Sequence, residues 1–148
     1  MAGTLTRVLL HITFSTRGRE PLIPESMEAE LYAYIGGICR NHGSLLMAMG
    51  GMPDHVHMLI SLAKTTALAD LMLHLKRDSS RWMKERSDGG FGWQEGYFAF
   101  SIGESGVEEL RRYIADQKGR HRTKDFKAEL REFLAKYRID FDDDRMWD

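Results

Sequence analysis

Three groupings of residues in this chain have the types and spacing to do chemistry. His55-Val56-His57 sits in an alternating apolar stretch. Strand geometry of period 2 puts both imidazoles on one face, with Cα atoms roughly 6–7 Å apart. Two imidazoles at that spacing can converge on one metal ion. Tyr113 and Gln117 are four residues apart and become neighbours on one face of a helix. A phenol can attack phosphorus, and an amide oxygen can ligate a metal. The third grouping is basic: Arg111, Arg112, Lys118, Arg120, Arg122 and Lys124 stand against a single acid, Asp116, and His121 adds potential charge. A basic face beside a phosphoryl nucleophile suits a phosphodiester backbone. Lys76, Arg77 and Arg81, with Arg17 and Arg19, are further candidates for that surface.

Each grouping also has a plain structural reading. The histidines can decorate a half-polar sheet surface, Tyr113 can sit at the edge of a core stripe, and a charge run can be a solvated helix face. Asp54 has the opposite strand parity to His55, so turn chemistry rather than metal ligation is expected of it. Spacing alone leaves these alternatives open.

The elements that must position these residues follow from periodicity. A first strand is expected over 8–16, with Val8, Leu10, Ile12 and Phe14 on one face and Leu9, His11 and Thr13 on the other. A helix over about 24–41 begins at Pro24 and stops near Gly43. Strands over 44–49 and 55–62 flank a turn through Gly50-Gly51-Met52-Pro53-Asp54. A second helix spans about 66–86 and a fourth strand 97–102. Ser105-Gly106-Val107-Glu108 has the form of a capping box and opens a helix to about 118. A weaker helix follows over 124–136. The order β-α-β-β-α-β predicts an α+β, ferredoxin-like four-stranded antiparallel sheet with the first and third strands central. The helix bearing Tyr113 is added after that unit. One domain over 1–148 is expected, with its core over about 7–102, the added helix over 105–118 and a C-terminal helix and tail over 124–148.

Composition narrows the classes. The 148 residues carry 21 Lys+Arg and 22 Asp+Glu, for a net charge of −1, which excludes nucleic-acid binding by bulk charge. That near-neutral sum hides an asymmetry, because 125–148 holds eight acids against five bases. The single cysteine, Cys39, excludes an internal disulfide and a cysteine-built zinc site. No apolar run is long enough to span a bilayer, and residues 1–7 lack a signal-peptide core. A reducing, cytoplasmic location is the resulting expectation.

With these residues in place the chain resembles a known family. Gly51-Met52-Pro53-Asp54-His55-Val56-His57-Met58-Leu59-Ile60 is similar to the His-hydrophobic-His (HUH) signature of the single-tyrosine, insertion-sequence-200-like transposases, which include the REP-associated tyrosine transposases. His11-Ile12-Thr13-Phe14-Ser15-Thr16-Arg17 resembles the family's first strand and Trp93-Gln94-Glu95-Gly96-Tyr97-Phe98-Ala99-Phe100-Ser101 its fourth. Arg111-Arg112-Tyr113-Ile114-Ala115-Asp116-Gln117 resembles its catalytic helix, and Asp144-Arg145-Met146-Trp147-Asp148 its terminal motif. Gly103-Glu104 and Gly119-Arg120 depart from it, away from the four candidate catalytic positions.

The resemblance implies that Tyr113 is a nucleophile and that His55, His57 and Gln117 hold a divalent metal, Mg²⁺ or Mn²⁺. It implies cleavage and rejoining of single-stranded DNA near hairpins, through a 5′-phosphotyrosine and a free 3′-hydroxyl. Phenol is only about 0.1% ionised at neutral pH, so activation falls mainly on the phosphate. The covalent link keeps the phosphodiester energy, so no nucleotide cofactor is required, and no P-loop motif is present. Two imidazoles and one amide are all neutral, which predicts weak metal binding without DNA and competition from Zn²⁺ or Ni²⁺. One tyrosine per chain and two DNA ends favour a homodimer, in which the tyrosine helix can complete the partner's site. A non-catalytic regulator that binds hairpin DNA on the same fold is the alternative. An RNA-binding module would instead show aromatic stacking residues on the open sheet face, where the clearest exposed pair expected is His55 and His57.

Overall fold

The computed structural model describes residues 3–121 and 124–143; Arg122 and the 144–148 motif lie outside them. Four strands, β1 (Val8–Ser15), β2 (Leu45–Met52), β3 (His55–Leu62) and β4 (Phe98–Ser101), form one antiparallel sheet in the order β2-β3-β1-β4. Helices α1 (Glu28–Asn41) and α2 (Leu68–Arg86) supply the two crossovers. The α+β, ferredoxin-like order and the central placement of the first and third strands are therefore as expected. No helix among the described residues is long and apolar enough to cross a membrane.

Alternation in the two central strands builds a different layer on each side of the sheet. Ile12 and Phe14 of β1 and Val56, Met58 and Ile60 of β3 face α1 and α2, where they meet Ile35, Leu71 and Leu75. Each such fully buried side chain contributes about 1.5–3 kcal/mol of transfer free energy. On the opposite face, Leu9 and Leu59 lie under Val107, Leu110 and Ile114 of α3 (Val107–Ala115). Phe100 lies under Phe126, Leu130 and Leu134 of a further helix, Phe126–Lys136. A single helical turn, α4 (Gln117–Arg120), separates the two, so the further helix is α5. The side chain of Asp125 caps α5 by accepting a hydrogen bond from the Ala128 amide at 2.9 Å.

Three local expectations change. Gly50 and Gly51 are not turn residues; β2 runs through them and pairs Gly50 with His57 and Gly51 with Val56, leaving Pro53-Asp54 as the turn. A Cβ on Gly50 would lie 2.4 Å from the Ile114 carbonyl oxygen, so this glycine serves close approach of α3 to the sheet. Ser105 caps no helix: a 3₁₀ turn over Glu104–Gly106 precedes α3, which starts after Gly106 without a side-chain cap. The helix also stops at Ala115 rather than continuing to 118, because Asp116 leaves helical geometry before α4 begins.

His55 and His57 were expected on an open sheet face. Both are fully buried, because α3, α4 and α5 cover that face.

Candidate metal and nucleophile site

The covered face holds a buried polar cluster in a mostly apolar setting. The β1–β3 register pairs Thr13 with His57 and Ser15 with His55, and it places His11 diagonally beside His57. His11 Nε2 lies 2.9 Å from His57 Nδ1. Asp54 Oδ1 lies 2.8 Å from His55 Nδ1. Asp54 is thus at the turn, as its parity predicts, and also orients His55. Both imidazoles of the pair are gripped at Nδ1, which leaves Nε2 of each directed at α4 and α5.

Two further elements close the cluster. Gln117 on α4 is buried, with Oε1 3.1 Å from His55 Nε2. Glu129 on α5 is 3% exposed. Its Oε1 lies 2.8 Å from His57 Nε2, 3.5 Å from His55 Nε2 and 3.3 Å from His121 Nε2. Its Oε2 accepts a hydrogen bond from the Tyr113 hydroxyl and a second, at 3.3 Å, from the Gln117 amide. The Tyr113 ring stands edge-on to His57 of its own chain, with centroids 5.6 Å apart. The four sequence-derived candidates, His55, His57, Tyr113 and Gln117, therefore come together within one chain.

Electrostatics follow from burial and pairing. Burial alone would raise the Glu129 carboxyl, but the adjacent imidazoles of His121, His55 and His57 hold it well below the usual carboxylate range. Burial opposes charge on His55, yet Asp54 and Glu129 raise it above an ordinary histidine. Burial prevails at His57, which is lowered. His11 is pushed down to about 3 by burial and by His57. Burial and the adjacent Glu129 carboxylate raise the Tyr113 phenol.

The donor chemistry fits a divalent ion. His55, His57, His121 and Glu129 each offer one ligand atom, and these atoms all lie within 4.8 Å of one another. Glu129 places a negative charge beside the imidazoles, in addition to the neutral set of His55, His57 and Gln117 expected from sequence. Neither Glu129 nor His121 was read from sequence as a ligand. The signal for Glu129 was available: an acid falls in the stripe Phe126, Leu130, Phe133, Leu134, Tyr137 of α5. His121 was grouped with the basic run, and its side chain turns inward, with 6% exposed.

The basic candidates divide between two faces. Lys76, Arg77 and Arg81 lie on α2, across the sheet from the cluster. Lys76 Nζ donates to the carbonyls of Gln94, Glu95 and Gly96, and Arg77 and Arg81 share Asp78. Arg17 reaches the Gly90 carbonyl, and Arg19 closes the short turn after β1. On the site's side, Arg111 donates to the Met47 carbonyl, and Lys118 donates to the Gly51 carbonyl and Glu28. Lys124 pairs with Glu132, and Arg112 is exposed on α3. Arg120 lies over the Tyr113 ring, 4.3 Å from its centroid. Two small clefts, about 210 and 170 Å³, reach Tyr113 and Arg120 from the surface.

A family model described as "Transposase IS200 like" matches residues 4–117. The chain belongs to this transposase family. The ISDra2 transposase TnpA of Deinococcus radiodurans is 26% identical over 122 residues, which cover 78% of this chain and 87% of that relative. A crystal structure described as a candidate transposase from Deinococcus radiodurans R1 superposes with a TM-score of 0.64 at 23% identity, covering 79% of this chain and 95% of that one. The structure of a REP-associated tyrosine transposase bound to a REP hairpin superposes with a TM-score of 0.57 at 15% identity, covering 82% and 74%. These two superpositions establish the shared fold. The family match ends at Gln117, so His121 and Glu129 lie past it.

Proposed function

We propose that this transposase cuts and rejoins single-stranded DNA at hairpin-bearing ends through a covalent link to Tyr113. The observation that carries the reading is the meeting of Tyr113 with His55, His57 and Gln117 in one buried cluster. In this reading His55, His57 and Gln117 are the ligands in the cleavage complex. A divalent ion there, Mg²⁺ or Mn²⁺, supplies electrostatic stabilisation of charge developing on the scissile phosphate. Tyr113 attacks phosphorus, forms the phosphotyrosine bond and releases a 3′-hydroxyl. Attack by a second 3′-hydroxyl breaks that bond, returns the phenol and reseals the strand. Arg120 over the ring and Arg112 on the exposed side of α3 supply positive charge beside the path of the backbone.

DNA-free protein holds the nucleophile against Glu129. A phosphate and this carboxylate compete for the same hydroxyl, so Glu129 withdraws from Tyr113 when DNA enters. The hairpin recognised by the neighbouring REP-associated structure supports a hairpin substrate here. The functional unit is a homodimer, because two DNA ends require two tyrosines.

The test is incubation with hairpin-bearing single-stranded oligonucleotides and Mg²⁺, read as a protein–DNA adduct on a denaturing gel. Wild type forms the adduct; Tyr113→Phe binds the oligonucleotide and forms none. An adduct in Tyr113→Phe overturns the nucleophile assignment. Binding by wild type with no adduct on any hairpin favours the regulator. Light scattering tests the dimer, and a fully active monomer removes it.

A further inference from the structure

We propose that His121 and Glu129 join His55 and His57 as a four-donor site for a Zn²⁺-class ion in the DNA-free protein, with α5 as the element that closes it. The proposal shares with the cleavage reading only the assignment of His55 and His57 as ligands. Three observations carry it. First, Glu129 Oε1 lies 2.8, 3.5 and 3.3 Å from the Nε2 atoms of His57, His55 and His121. Ligand atoms at Zn–N and Zn–O distances of about 2.0–2.1 Å in a tetrahedron stand roughly 3.3 Å apart. The carboxylate oxygen thus sits near one vertex of such a site before any ion is added.

Second, His121 Nε2 is buried and lacks a hydrogen-bond partner among the described residues, although Glu129 Oε1 is only 3.3 Å away. Its nitrogen lies close to the oxygen without a directed bond to it. An orphaned buried ring nitrogen in an imidazole cluster is the arrangement a metal would satisfy. Third, the donor set is three imidazoles and one carboxylate. Such a set suits Zn²⁺ or Co²⁺, whereas Mg²⁺ prefers an octahedron of oxygens and retains its waters.

The outer contacts are already built. Asp54 holds His55 at Nδ1, and His11 holds His57 at Nδ1. Glu129 Oε2 stays outside the group, where it accepts from Tyr113 and Gln117. Gln117 is a neighbour of the four-donor site and not part of it. Closing α5 over the ion therefore places the nucleophile against a ligand's second oxygen.

The test uses the full chain after chelator treatment, titrated with Co²⁺ and followed by visible absorption, with Zn²⁺ affinity from competition against a chelating dye. Wild type is expected to bind one equivalent and show the intense bands of four-coordinate cobalt. Glu129→Gln and His121→Phe, each verified as folded by circular dichroism, are expected to lose those bands. Their Zn²⁺ affinity should fall by more than the roughly 10–100-fold that loss of an outer contact costs. Faint six-coordinate absorption in wild type overturns the proposal, and so does wild-type affinity in both variants. The adduct assay in Mg²⁺ is a separate readout. Its failure with the cobalt spectrum intact removes the cleavage reading alone, and the reverse pattern removes this site alone.

Discussion

His11 Nε2 and His57 Nδ1 meet at 2.9 Å between the two central strands. For His57 to present Nε2 to an ion, its Nδ1 must carry the proton and donate it to His11. A neutral acceptor is needed, and burial keeps His11 neutral by pushing it to about 3. His11→Phe keeps a ring in the same space but offers no acceptor. It should lower metal affinity by roughly 10–100-fold, and His11→Gln should recover part of the loss. Calorimetric titration of both variants decides this; unchanged affinity in His11→Phe removes the positioning role.

Arg112 is exposed on α3, one residue before Tyr113. If it contacts phosphate, Arg112→Gln should weaken binding to single-stranded DNA without regard to sequence. The slope of log affinity against log salt should shrink by about 0.7. Fluorescence anisotropy across a salt series measures it, and an unchanged slope takes Arg112 off the DNA surface.

The Trp93 indole donates to Ser79 Oγ at 2.9 Å inside the α2 side of the core, and Ser79 in turn donates to the Leu75 carbonyl. Ser79→Ala strands the indole N–H in an apolar setting. The expected cost is about 1–3 kcal/mol. Urea denaturation should show a lower midpoint with an unchanged slope; an unshifted midpoint means another group satisfies Trp93.

Cys39 is fully buried on α1, and burial pushes its thiol up to about 11. Thiolate is the reactive form and this thiol has no exposed surface, so native protein at pH 8 should be inert to thiol reagents. Unfolding in urea should expose one reactive thiol per chain at pH 8. Rapid native labelling at pH 8 would contradict this burial.

Much of this arrangement was legible because period-2 alternation is local. Ile12 and Phe14 faced one way and His11 and Thr13 the other before any partner strand was known, and His55 and His57 shared a face for the same reason. The i, i+4 spacing similarly joined Tyr113 to Gln117. What could not be read was which layer covers that face. Burial of His55 depends on α5 docking across the sheet, a contact between residues more than sixty positions apart. Glu129 illustrates the gap: its place in the α5 apolar stripe was visible, but its three imidazole neighbours come from β3 and from the turn after α4. Gly50 and Gly51 resemble turn residues because the same residue type serves tight turns and close backbone approach, and only the positions of α3 at Gly50 and of the His55 main chain at Gly51 separate the two.

The approach of α3 to Gly50 bears on how accurately Tyr113 is held. The Ile114 carbonyl, next in the chain to Tyr113, rests against the Cα of β2 with no side chain between them. β2 pairs Gly50 directly with His57. Main chain on main chain leaves no rotamer to absorb error along that path. The backbone beside Tyr113 is therefore referenced to the sheet itself, on the strand position paired with His57.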